Sequence, residues 1–219
     1  MIKLVVFDWN GTLLADARGI VEGVNIELGV LGKPPITLKY YRDNYDVPLV
    51  HFFEKLGIKP EEFKAKSSQV AAAFHPFYEA RVAHARTRRG AKELLDALRH
   101  RGIINILLSN HTMEGIYLQL ERLNLSHHFE AVLANDGFGK SHFSGKQHRL
   151  EEYMKSHGIS AHETAIVGDT IEEIRIGKNL GIKTIALTGG YNSTRRLKEA
   201  KPDVLIHKLR DIIKALEEW

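Results

Sequence analysis

Polar residues stand where several short apolar runs end. Ile2 to Phe7 is apolar, largely β-branched and aromatic, and Asp8 closes it ahead of Trp9-Asn10-Gly11-Thr12. Ile103 to Leu108 runs into Ser109-Asn110, and Thr164 to Val167 runs into Gly168-Asp169. Lys146 stands just ahead of the helical segment that precedes the Asp169 run. A carboxylate at the edge of a core must be paired or bound to metal. Two carboxylates beside a Lys and a Ser suit a hard cation plus a phosphate, the acids holding the cation while Lys and Ser bind phosphate oxygens. The alternatives are structural. Asp8-x-Asn10-Gly11 is a common turn, Ser109 and Asn110 can cap a helix starting at Met113, and Lys140 rivals Lys146 for the same role.

These residues meet only if the runs are strands. Short runs rich in Val, Ile and Phe, closed by turn residues, read as buried parallel strands. After Gly90 such runs alternate with helices. Helices are expected at Ala91–His100, Met113–Leu123, Gln147–His157, Ile171–Asn179 and the C-terminus, with strands at Ile103–Leu108, Ala131–Ala134, Thr164–Val167, Thr184–Leu187 and Val204–Ile206. The pattern predicts an α/β fold, a doubly wound parallel sheet of the Rossmann-like kind. Ligands of such sheets lie outside the carboxyl ends of the strands, where Asp8, Ser109, Asn110 and Asp169 converge.

From Leu13 to about His84 the pattern is helical throughout, with Ile20, Val24, Leu28 and Leu31 at helical spacing, an apolar stretch at Leu49–Leu56 and a further helical region within Glu61–Val82. Pro76 is expected to kink or divide the last of these. The expected organisation is therefore an α/β core formed by residues 1–14 and 85–219, with an inserted all-helical unit at 15–84. Tyr40, Tyr41, Tyr45, Phe52 and Phe53 are expected in the core of that unit.

Composition narrows the classes further. The chain has 219 residues, no Cys and no apolar stretch approaching a membrane span, so disulfides and thiolate metal sites are excluded and a cytoplasmic location is expected. The net charge is +4, and the segment Arg81–Arg101 alone carries seven basic residues against two acidic ones. No aromatic interleaving or nucleic-acid motif accompanies that charge, so it reads as a solvated face and no nucleic-acid partner is expected. Oligomeric state is open.

Four motifs together resemble the haloacid dehalogenase superfamily, most closely its phosphoglycolate phosphatase-like group. They are V-V-F-D-W-N-G-T-L at Val5–Leu13, L-L-S-N at Leu107–Asn110, S-G-K at Ser144–Lys146 and I-V-G-D-T-I-E-E at Ile166–Glu173. The resemblance spans nearly the whole chain and implies a magnesium-dependent phosphatase with a helical cap at 15–84, acting on a small phosphorylated substrate. It makes Asp8 the nucleophile that becomes an aspartyl phosphate. It places Mg²⁺ on the Asp8 carboxylate, the Asn10 carbonyl and Asp169, with Glu173 as a further or water-mediated ligand. Ser109, Asn110 and Lys146 bind the phosphoryl group, and Thr12 with Gly11 shapes the turn around the nucleophile. Glu173 could equally be an exposed first-turn acid favoured by the helix dipole.

One position departs from the family pattern. The residue two after the nucleophile is ordinarily an Asp that carries protons, and here it is Asn10. An amide cannot exchange a proton near neutral pH, and general acid or base help is typically worth about a hundredfold to ten-thousandfold per step. Three consequences are open: a substrate with a good leaving group, a proton supplied elsewhere with His111 and His142 to be tried, or a weakened relative that binds a phosphorylated ligand or partner or transfers phosphoryl groups.

Overall fold

The computed structural model describes residues 1–137 and 145–219. Strand β1 (Leu4–Phe7) is buried along its whole length. Its side chains alternate, as strand geometry requires. Leu4 and Val6 join a cluster with Leu150, Tyr153, Met154 and Ile176. Val5 and Phe7 join another with Leu94, Leu95, Leu98, Ile116 and Ile212. A strand covered on both faces needs the continuous apolar run that the sequence supplies.

The other strands are β2 (Ile104–Thr112), β3 (Ala131–Asn135), β4 (Thr164–Gly168), β5 (Lys183–Leu187) and β6 (Val204–Ile206). They form one six-stranded sheet in the order β3-β2-β1-β4-β5-β6, parallel at every pairing. This is the doubly wound α/β fold expected from the alternating pattern. The order reverses at β1, so the crevice beyond β1 and β4 is the switch point where such sheets bind ligands.

Four helices, α1 (Ala17–Val30), α2 (Leu38–Asn44), α3 (Leu49–Lys55) and α4 (Pro60–Val82), follow β1. They build a separate apolar cluster from Val24, Leu28, Tyr41, Phe52, Phe53 and Phe63, which Tyr191 from the far end of the chain completes. The remaining helices are α5 (Ala91–His100), α6 (Met113–Leu123), α7 (Lys146–Ser156), α8 (Ile171–Leu180), α9 (Thr194–Glu199) and α10 (Asp211–Glu217). No helix among the described residues is long and apolar enough to cross a membrane.

Four local readings are revised. Pro76 lies inside α4 without dividing it. Strand β2 does not stop at Leu108; it runs on through Ser109 and Asn110 to Thr112, with a register shift against β3 that absorbs the extra length. Ser109 and Asn110 therefore do not cap α6; the Thr112 hydroxyl does, accepting from the Gly115 N–H. Lys146 is the first residue of α7 and is not ahead of it.

Candidate active site

The end of β1 delivers Asp8 into a cavity of about 140 Å³ that Asn10, Ser109, Asn110, His111, Lys146 and Glu172 also line. Lys146 organises this end. Its Nζ donates to Asp8 Oδ1 and to Glu173 Oε1, both at 2.6 Å, and lies 3.7 Å from Glu172 Oε2. Burial pulls the Lys146 pKa down, but Asp8, Glu173 and Glu172 outweigh it and hold the ammonium charged. Asp8 is held well above the usual carboxylate range by burial, with Lys146 opposing and Glu173 and Asp169 adding to the rise.

Asp169 is fully buried beside this cavity. Its Oδ1 accepts from the Thr12 hydroxyl at 2.5 Å, and its Oδ2 accepts from the Tyr191 N–H at 2.5 Å. Burial and then Glu173 raise it to about 6, while the Thr12 hydroxyl pulls it down. A Cβ at Gly11 or at Gly190 would collide with Asp169 Oδ2, and Gly11 also has φ +79°. Glycine at these two places lets the backbone close around the carboxylate.

Glu173 is buried and not an exposed first-turn acid; its second oxygen accepts from the Thr170 N–H and hydroxyl, closing a capping box on α8. Its neighbour Glu172 lines the cavity instead, with Oε2 accepting from Asn110 Nδ2 at 2.8 Å. Nothing in the sequence singles out Glu172 over Glu173. Two adjacent acids at the start of one helix were the available signal, and only the helix phase decides which of them faces the ligand.

The Asn10 side chain is oriented by a residue that the sequence does not single out either. Asn10 Nδ2 donates to Asp16 Oδ2 at 3.0 Å and to the Tyr78 hydroxyl at 2.9 Å. Asp16 sits where a helix cap is expected, yet makes no capping bond to α1. Instead it accepts from the Gly11 N–H at 2.7 Å and from the Tyr78 and Tyr191 hydroxyls at 2.6 Å each. A carboxylate accepts only, so the amide of Asn10 must turn its nitrogen toward Asp16 and keep its oxygen for the cavity.

His111 lines the cavity, but burial, helped by His75, lowers it to about 4. Burial thus favours its neutral form. His142, Lys140 and Ser144 lie outside the described residues. Arg88, taken from sequence as part of a solvated basic face, reaches inward: its guanidinium donates to the carbonyls of Gly11 at 2.9 Å and Thr188 at 2.7 Å, bracing the turn from behind. Tyr45 packs against the helical cluster as expected, and is half-buried because it also lines the cavity.

Asp8, Glu172 and Glu173 are buried around Lys146, three acids to one lysine, and Asp169 is buried beside them. Asn110 Oδ1 is buried there without a hydrogen-bond partner among the described residues. Hard oxygen donors with excess negative charge fit a hard divalent cation of the magnesium kind. No three His, Asp or Glu side chains among the described residues are already grouped as a metal cage. The lysine, Ser109 and Asn110 offer a phosphate both charge and hydrogen bonds.

Comparison with known proteins follows the same line. Residues 5–187 match the family model described as haloacid dehalogenase-like hydrolase. A phosphoglycolate phosphatase of Aliivibrio fischeri is 24% identical, with 98% of this chain and 96% of that protein covered. One from Vibrio cholerae is 28% identical over 92% of this chain and 91% of its own length. Among solved structures, a predicted phosphatase from Clostridium acetobutylicum superposes with a TM-score of 0.84 over all of both chains at 21% identity. The haloacid dehalogenase-like protein SP0104 from Streptococcus pneumoniae gives 0.81 over 98% of each chain at 19% identity, and at these identities the structures bear on fold alone.

Proposed function

Because this chain belongs to the haloacid dehalogenase-like hydrolase family, we propose that it is a phosphatase that releases phosphate from a small phosphorylated metabolite through an aspartyl phosphate on Asp8. The observation that carries this reading is the placement of Asp8 at the switch point of the sheet, 2.6 Å from the buried Lys146 and in one cavity with Ser109 and Asn110. The phosphatases among its relatives support the same class. Residues 15–84 are assigned as a cap over the strand ends.

In the first step an Asp8 oxygen attacks phosphorus, and the bond from phosphorus to the leaving oxygen breaks. Lys146 moves its hydrogen bond from Asp8 to a phosphoryl oxygen, where Ser109 and the Asn110 amide add donors. In the second step water attacks phosphorus of the aspartyl phosphate and the bond between phosphorus and the Asp8 oxygen breaks, which restores the Asp8 carboxylate and releases inorganic phosphate carrying the water's two hydrogens. The Asp8 carboxylate, the Asn10 carbonyl and Asp169 would hold a magnesium ion, with Glu172 or Glu173 behind them. When bound, the ion offsets the repulsion between nucleophile and phosphate.

Asn10 can accept a hydrogen bond from the leaving oxygen or from water but keeps no proton to exchange. His111, whose neutral form burial favours, supplies none either. The site therefore favours leaving groups that depart without an acid, such as acyl phosphates, phosphoanhydrides and aryl phosphates. The same geometry supports a second reading, in which the chain captures a phosphorylated ligand and stalls.

Phosphate release from an aryl phosphate with magnesium, for wild type, Asp8→Ala and Asn10→Asp, separates them. Sustained turnover lost in Asp8→Ala is expected. A stoichiometric burst relieved by Asn10→Asp would assign the stalled reading, and no burst in any variant would overturn both steps.

A further inference from the structure

The cavity over Asp8 shares a wall with a second one of about 90 Å³ between α1, α2 and α4; Ile20, Tyr45, Leu49, Phe74, His75 and Tyr191 line both. The far wall of the second cavity carries Glu27. This acid is 7% exposed, and no hydrogen bond or ion pair is made by its carboxyl among the described residues. It occupies the apolar stripe of α1, one turn beyond Val24. A buried carboxyl with no partner is costly and calls for an explanation, of which an entering ion or ligand is one.

What surrounds Glu27 identifies the visitor's charge. Three tyrosine rings meet here: Tyr41 stacks on Tyr45 with centroids 4.9 Å apart, and Tyr191 stands edge-on to both at 5.7 and 5.5 Å. The Tyr191 hydroxyl is committed to Asp16, and Ser67 Oγ donates to the Lys64 carbonyl, so neither competes for Glu27. An acid beside aromatic rings attracts a cation by the ring quadrupoles and by ion pairing, giving up its proton as the cation arrives.

We propose that this second cavity is a cation pocket, in which Glu27 and the rings of Tyr41, Tyr45 and Tyr191 hold an amino or alkylammonium group at the far end of the substrate's leaving group. The pocket rests on the phosphatase reading only for the link between that amine and the phosphate. Ile20 and Glu27 lie seven residues apart on α1, about 10 Å along the helix axis. The leaving group is therefore elongated, an apolar body ending in a positive charge.

The test compares para-(aminoalkyl)phenyl phosphates with para-alkylphenyl phosphates of matching length, from ethyl to hexyl, in wild type and Glu27→Gln. The aryl leaving oxygen needs little acid help, so Asn10 does not mask the comparison. Wild type is expected to prefer the amine by about tenfold in kcat/KM at its best length, and Glu27→Gln is expected to bring the ratio to about one. Equal handling of both series by wild type, or a preference that persists in Glu27→Gln, overturns the pocket. Where no ester is hydrolysed at all, phenylbutylamine alone decides, read against phenylbutanol by thermal shift. A Tm rise specific to the amine and lost in Glu27→Gln keeps the pocket while the phosphatase reading falls; no such rise overturns the pocket as well.

Discussion

The two ends of the composite cavity are built on opposite principles. At the strand tips every charged side chain is pinned: Lys146 by two acids, Asp169 by Thr12 and Tyr191, Asp16 by four donors. Between the helices the walls are aromatic, and the one acid, Glu27, has no partner among the described residues. A pinned set holds geometry for a reaction whose transition-state charges are always in the same place. An unpinned acid in an apolar wall contributes discrimination, because a wrong occupant leaves it unsatisfied.

The largest expected effect tests the pinned end. Asp8→Asn should lower phosphate release by about ten-thousandfold or more if Asp8 is the nucleophile, and a loss below tenfold in single-turnover assays would remove it from that role. Next, Lys146→Met leaves Asp8, Glu173 and Glu172 without their counter-charge. Breaking a buried pair in this way typically costs about 3–5 kcal/mol, so urea unfolding should reveal a loss of that order, and an unaffected midpoint would mean that the charges there are already relaxed.

The unpinned end predicts a pH dependence. Burial raises Glu27 from 4.5 to about 8. Between those values the folded state holds a proton that the unfolded chain has released. Its contribution is therefore fully present below 4.5 and is lost as pH rises through about 8, at up to about 1.4 kcal/mol per pH unit. Glu27→Gln should flatten this component of the stability–pH curve, with Tyr41 and His75, which line the same cavity, left in place. Parallel curves for the two proteins would show that Glu27 has a partner in solution. The smallest effect is expected from Tyr78→Phe, which deletes one donor to Asp16 and one acceptor from Asn10. A loss of about 1–2 kcal/mol is expected by chemical denaturation, and no loss would mean that Asp16 is less tightly held than the geometry implies.

The contrast also explains what was legible in the sequence. Asp8, Ser109, Asn110 and Asp169 follow apolar strand runs directly, and parallel strands bring their ends together by rule. The sheet, and the convergence of these residues, could be read without coordinates. Glu172 could not, because it lies beside Glu173 and only the helix phase separates them, and Asp16 could not, because its place ahead of α1 reads as an ordinary helix cap. Glu27 was legible in principle, as an acid one turn beyond Val24 in an apolar stripe. The helix-capping alternative for Ser109 failed because β2 runs three residues beyond Ser109, which no propensity signals.

One consequence concerns the order in which the chain can be completed. Arg42 of α2 donates to the carbonyls of Gly190 and Gly189, across 148 and 147 residues, and Asn192 and Arg196 return bonds to the Tyr45 carbonyl. Tyr191 fills the helical cluster from the same loop. During synthesis the first four helices emerge long before that loop does, so Tyr41 and the other residues it covers wait without their last neighbour until the final strands have left the ribosome. Truncated or stalled chains would expose that aromatic face, which makes nascent polypeptides ending before Gly189 natural clients for a chaperone.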